Sequence, residues 1–357
     1  MARLPVPIIY LSGNHREIGR QYGEACREQI KHSIVNAQQL ISDTVLQLQL
    51  SWEGAIIQAR KYLPFAEERF PKFVEELHGL AEGANISFDE IAVVNAMEAV
   101  TTDALHLTKC TSLAVSPERS QTRHVLLAHN EDWLPEDEPD LVMLHVSPVE
   151  DPPFLAMTYG ALLPNIGFNA DGIAQCCDSV YPSDPRIGAP RVIVSRSVLA
   201  ERTPAEAIRR ALSPQRAAGY NHLIAHESGE LYNVEVSARK FAVLSSEDGA
   251  IAHTNHYLHP TMQAIENEPD ELVATRVRYF RAQRLLRLSQ LHSVESLQVI
   301  QKDHINYPDS ICNHAQDDMD PLHREKTITG LIMDLTERRM FVTWGNPCQS
   351  DYFEYQL

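Results

Sequence analysis

Cys110 heads the run Cys110-Thr111-Ser112-Leu113-Ala114-Val115, where the texture of the chain changes. Helix-like sequence precedes it and strand-like runs follow it. A nucleophile at such a junction suggests a chain that cuts itself there. If the Lys109–Cys110 bond breaks, Cys110 carries a thiol and an α-amine. That amine has an unperturbed pKa of about 7.7–8.0. It can take the thiol proton directly or through a water, so no separate histidine is needed. The same thiol can make the cut by attacking the Lys109 carbonyl, forming a thioester that water hydrolyses. The bland alternative is a buried, inert cysteine.

Other chemistries are weakly signalled. There is no G-x-S-x-G elbow, no H-E-x-x-H pair and no cysteine-protease signature. Sixteen histidines leave a Cys–His pair open. His253, His256 and His259 recur at three-residue steps, but read as a strand end and turn without an acidic partner at helical spacing. No metal is expected there. Cys176-Cys177 reads as core packing, because bridged cysteines need a narrow geometry. Cys312 is given no chemistry of its own. Glu131 and Asp132 alone would read as a solvated strand end, and Glu136-Asp137-Glu138 as an exposed loop. No glycine loop that cradles phosphate is seen, so no cofactor is expected.

The elements that must position Cys110 follow from periodicity. A short strand leads into a helix opening at Gly13-Asn14-His15-Arg16-Glu17. Apolar residues at Ile30, Ile34, Ala37, Ile41, Val45 and Leu48 mark a helical stripe, as do Phe70, Phe73, Val74, Leu77 and Leu80. Ser87-Phe88-Asp89-Glu90 and Thr203-Pro204-Ala205-Glu206 have capping-box spacing. After Cys110, residues 124–129, 141–146 and 154–159 read as strands, two of them buried on both faces. Asn169-Ala170-Asp171-Gly172 is a turn. Strands are expected at 221–226, 230–236 and 241–244, a helix at 275–291, and a closing hairpin of 327–335 with 340–344. Antiparallel strands covered by helices are the natural packing for this order.

The chain's 357 residues suffice for a large core. A net charge of −17 disfavours nucleic acid, and no apolar run is long enough for a membrane span. Six scattered cysteines and no signal-peptide pattern suggest reduced thiols and a cytoplasmic location.

Several ordered segments carry a resemblance: Gly13…Ile18-Gly19…Gly23, Cys110, Asn130-Glu131-Asp132-Trp133, residues 166–174, His253-Thr254-Asn255-His256, and Asn306-Tyr307-Pro308-Asp309-Ser310-Ile311-Cys312. Together they resemble the acyl-coenzyme A:6-aminopenicillanic acid (isopenicillin N) acyltransferase family of N-terminal nucleophile (Ntn) hydrolases. The resemblance implies an α+β fold, a four-layer αββα sandwich of antiparallel sheets, formed as one domain over 1–357. Processing would yield segments 1–109 and 110–357 that stay associated. It implies Cys110 as nucleophile, Asp132 orienting its amine, and Asn255 as the oxyanion donor. The substrate would be a small-molecule amide or acyl donor, with acyl-coenzyme A left open. Hydrolase and acyltransferase are not separable, and an unprocessed binding relative is the alternative. Two departures bear on this. Lys109 precedes the nucleophile where the penicillin enzyme has glycine, and Asn313 stands where that enzyme has arginine.

Overall fold

The computed structural model describes residues 4–42, 50–100, 109–267, 272–316 and 324–357. Val45 and Leu48 of the first helical stripe lie outside them. Two sheets form the centre. The first has eight strands in the order β1-β4-β5-β6-β7-β8-β9-β10. They are β1 (Ile8–Gly13), β4 (Leu141–Pro148), β5 (Phe154–Tyr159), β6 (Ile166–Asn169), β7 (Ile173–Asp178), β8 (Tyr220–His226), β9 (Leu231–Val236) and β10 (Phe241–Ser245). The second has six, in the order β11-β2-β3-β12-β13-β14. They are β11 (Ala250–His253), β2 (Lys109–Val115), β3 (Leu126–Trp133), β12 (Lys326–Asp334), β13 (Arg339–Val342) and β14 (Phe353–Gln356). Neighbouring strands are antiparallel except β1 and β4, which are parallel and cross from one side of Lys109–Cys110 to the other.

The sheets face each other across an apolar layer that includes Ala114, Leu127, Met143, Leu155, Met157, Leu223, Leu331 and Met333. Helices cover both outer faces. Over the first sheet lie α1 (His15–Ala25), α2 (Arg27–Ser42), α5 (Pro71–Ala84) and α7 (Arg191–Val198), packed on Leu11, Val142, Leu144, Phe154 and Ala156. Beside them are α3 (Trp52–Arg60), α4 (Leu63–Arg69) and α6 (Phe88–Asn95). Over β8 and β9 lies α8 (Pro204–Ala211), with the short α9 (Pro260–Gln263) nearby. Over the second sheet, α10 (Val273–Leu288) and α11 (Val294–Gln301) bury Ala282, Leu286, Leu297 and Ile300 against Leu113, Val115, Leu126 and Ala128. The result is the αββα sandwich the resemblance implied.

Local signals act as read. Asn14 and Glu17 form a capping box on α1, and Ser87 with Glu90 forms one on α6. At α8 only half a box forms: Thr203 Oγ1 accepts from Glu206 N, while the Glu206 carboxylate takes the Thr203 hydroxyl. The acidic stretch at 136–138 departs from expectation. Asp137 is buried, accepting from Asn36 Nδ2 at 2.8 Å and Trp133 Nε1 at 2.5 Å. No helix among the described residues is long and apolar enough to cross a membrane.

Candidate active site

Register places the candidate residues. β2 pairs with β3 so that Cys110 lies opposite Glu131 and Lys109 opposite Asp132. β11 pairs with β2 with His253 opposite Ser112. Running antiparallel, the chain leaving β11 passes Cys110 two residues later, which brings Asn255 to it. Asn255 Oδ1 accepts from Cys110 N at 2.7 Å. An amide carries two N–H donors, and one from Asn255 goes to Ser179 O at 3.1 Å. The Asn255 backbone N–H is held by Thr275 Oγ1 at 2.8 Å.

Asp132 is wholly buried on β3, one strand from Cys110. Its Oδ1 accepts from Thr327 Oγ1 at 2.6 Å. Burial pushes its carboxyl up to about 7, against the pull of Arg278. Glu131 is also buried, so the solvated reading of both acids is set aside. Glu131 Oε2 lies 3.9 Å from Cys110 Sγ and 2.8 Å from His129 Nε2, and Oε1 accepts from Tyr159 OH at 3.2 Å. Burial first, and then Glu131, Asp178 and Asp132, push the Cys110 thiol well above its ordinary pKa. A proton acceptor must therefore act for the thiol to attack.

Sequence reasoning missed Arg278, which is almost wholly buried on α10. Its guanidinium donates to Cys110 O, to Thr111 Oγ1 at 3.1 Å and to Asn255 Oδ1 at 2.9 Å. One fork thus fixes both Cys110 and its amide partner. Nothing in the pattern distinguishes it from Arg276, Arg281 or Arg284 on the same helix. Lys109 starts β2, with Nζ 2.8 Å from Asp309 and 3.4 Å from Glu325. Asn313 is buried. Its N–H goes to Thr327 Oγ1 at 2.9 Å and its side chain to Glu325 O at 3.0 Å.

The three histidines considered for metal have other partners. His253 lies between Asp178, at 3.4 Å, and Glu235, at 2.9 Å. His256 faces Thr254 and Thr275, and His259 caps α9. Cys176 and Cys177 are buried free thiols, as core packing requires, and Cys177 reaches the pocket wall.

Cys110 opens into a pocket between the first sheet, α2, α6 and α7. About 90 Å³ of it is reachable by the centre of a water molecule. Its walls are mostly apolar and aromatic, with Met157, Leu162, Tyr159 and Tyr220 among them. Glu98 and Arg191 supply charge, and Arg191 lies 5.1 Å from the Tyr220 ring centroid. Such a cavity, apolar with a few convergent polar groups, suits a small ligand.

Residues 118–349 match the model of a family described as acyl-coenzyme A:6-aminopenicillanic acid acyl-transferase, a span that holds Asp132 and Asn255 and begins after Cys110. The chain is similar to the 40 kDa form of acyl-coenzyme A:6-aminopenicillanic-acid-acyltransferase of Emericella nidulans, 24% identical over 344 residues, covering 95% of this chain and 92% of the relative. It is also similar to beta-alanyl-dopamine/carcinine hydrolase of Drosophila melanogaster, 26% identical over 229 residues, 58% of this chain and 57% of that one. Among solved structures, it is similar to penicillin V acylase from Agrobacterium tumefaciens, with a TM-score of 0.48 at 14% identity over 70% of this chain and 86% of the other. With well over half its length inside the matched span, this chain belongs to the acyl-coenzyme A:6-aminopenicillanic acid acyl-transferase family.

Proposed function

We propose that this chain is a self-processing N-terminal cysteine amidohydrolase or acyltransferase that works on a small N-acyl amide through an acyl-enzyme on Cys110. One observation carries the reading: Cys110 lines an apolar pocket while its backbone N–H rests on Asn255 Oδ1. Once the Lys109–Cys110 bond is hydrolysed, that nitrogen is the α-amine. Asn255 then holds it beside the thiol whose proton it takes. The amine supplies the acceptor that the buried thiol lacks. Asp132 supports the resulting ammonium from the neighbouring strand. The second Asn255 N–H is the donor for the oxyanion of the tetrahedral intermediate.

The thiol sulfur forms a bond to the acyl carbon, and the leaving amine departs with a proton returned from the α-ammonium. Water or an acceptor amine then releases the acyl group. The pieces 1–109 and 110–357 would stay together, because β1 is in register with β4 and α1, α2 and α5 share a core with the first sheet.

The two relatives divide the options: one is named an acyltransferase using acyl-coenzyme A, the other a hydrolase. The unprocessed binding reading has one observation in its favour: Lys109 is anchored by two carboxylates at the very bond to be cut.

A panel of acyl amines and acyl-coenzyme A thioesters tests the function. Turnover of a simple amide, with an acyl adduct on Cys110 by mass spectrometry and none in Cys110→Ala, is expected. Equal turnover by Cys110→Ala would overturn it.

A further inference from the structure

Four metal-binding side chains converge away from the Cys110 pocket. His304, Cys312 and His314 lie in the segment after α11, and Cys348 comes from the turn after β13. Their ligand atoms all lie within 4.8 Å of one another. His314 Nε2 is 3.1 Å from His304 Nε2, 3.5 Å from Cys312 Sγ and 3.4 Å from Cys348 Sγ. An imidazole nitrogen offers either one proton or one lone pair. It cannot satisfy three partners by itself, whereas a cation held among all four atoms can.

The distances fit a tetrahedron. With Zn–S of about 2.3 Å and Zn–N of about 2.0–2.1 Å, its nitrogen–nitrogen edge is about 3.3 Å and its sulfur–nitrogen edge about 3.5 Å. Two thiolates and two imidazoles form a soft S₂N₂ set, which suits zinc rather than magnesium or calcium. The outer shell agrees. Asn346 Nδ2 lies 3.6 Å from Cys312 Sγ while donating to Asn313 O at 2.7 Å. N–H donors on sulfur are what orient and stabilise a thiolate ligand. Cys312 is wholly buried and His304 is exposed, so the cluster has a closed floor and a solvent-side entry.

We propose that His304, Cys312, His314 and Cys348 form a tetrahedral Zn²⁺ site. Two sulfur–zinc and two nitrogen–zinc bonds form, the two thiol protons pass to solvent, and nothing is oxidised or reduced. Four protein ligands leave no open position, so the role is structural. The ion ties the 304–314 segment to the turn at 346–348. That segment carries Asp309, which holds Lys109. It also carries Asn313, whose N–H goes to the Thr327 hydroxyl bonded to Asp132. Zinc thus fixes the wall behind the cleavage bond and Asp132 without touching the nucleophile. Sequence spacing hides the site, since Cys348 stands 34 residues beyond His314 with no paired C-x-x-C.

The test uses the tag-free full chain, expressed with zinc and desalted into metal-free buffer. Mass-spectrometric metal analysis is expected to find about one zinc per chain. Cobalt replacement should give the visible and near-ultraviolet bands of a tetrahedral thiolate site. Cys348→Ser and Cys312→Ser should lose the metal, and Cys26→Ser should keep it. If the cysteine variants fail to fold, His304→Ala, altered at an exposed ring, should still fold and release zinc to a chelator at lower chelator concentration. Substoichiometric zinc with no cobalt spectrum, or a Cys312–Cys348 disulfide in the unreduced protein, would overturn the site.

Discussion

Arg278 ties Cys110 to Asn255, and no pattern in the sequence announces it. It holds Cys110 O, Thr111 Oγ1 and Asn255 Oδ1 at once, and its charge restrains the upward shift of the Asp132 carboxyl. Replacing it with methionine keeps the length and removes the fork. Charge-assisted hydrogen bonds contribute about 1.5–3 kcal/mol each, so kcat should fall about tenfold to a hundredfold. Losing a positive neighbour disfavours the carboxylate, so the Asp132 pKa rises. The acid limb of the kcat/KM profile should therefore move to higher pH. An unchanged kcat with an unmoved limb would deny Arg278 this role. At this scale the sequence was partly legible. Cys110 and Asn255 meet directly, and Asp132 lies on the adjoining strand. Cys110 stood out at the change of texture, while Asp132 and Asn255 came only from the resemblance of their segments to a family. Arg278 was not legible, because only packing decides which arginine of an arginine-rich helix turns inward. The burial of Asp137 was missed for the same reason, since its partner Asn36 lies far away in sequence.

At the element scale, α1 and α5 pack backbone against backbone. A Cβ on Gly79 would lie 2.0 Å from Arg16 O, and one on Gly19 would lie 1.9 Å from Glu76 O. Backbone meets backbone there, so no side chain can yield. Gly79→Ala should destabilise the chain by about 1–3 kcal/mol, the usual range for overpacking, and lower the melting temperature measured by circular dichroism. An unchanged melting curve would contradict this packing. Helices with a cap and one apolar face, such as α1, α5 and α6, could be read from the sequence. Helix α7 could not, because every one of its residues is buried and it carries no amphipathic stripe. Strands β6 and β7 were seen as motif rather than strand, being short and joined by a tight turn at Gly172.

Across the whole molecule, the layer between the sheets holds a charged group as well as apolar side chains. His253 is wholly buried between Asp178 and Glu235. Burial alone would lower its pKa, but the two carboxylates outweigh it and raise it to about 9. A raised folded pKa stabilises fully below the unfolded value of about 6.5 and is lost as pH rises through about 9. The melting temperature should therefore drop between pH 6.5 and 9.5, and this drop should shrink in His253→Gln. An equal drop in both proteins would remove His253 as its source. A sandwich of antiparallel strands covered by helices was legible from periodicity, and the four-layer αββα order was what the family resemblance implied. The central claim is that Lys109 ends one chain and Cys110 begins another. Intact-mass spectrometry of the purified protein under denaturing conditions tests it most directly. The account predicts two polypeptides, 1–109 and 110–357, with Cys110→Ala remaining a single chain. A wild-type protein that stays one uncut chain while hydrolysing its amide substrate at full rate would contradict it.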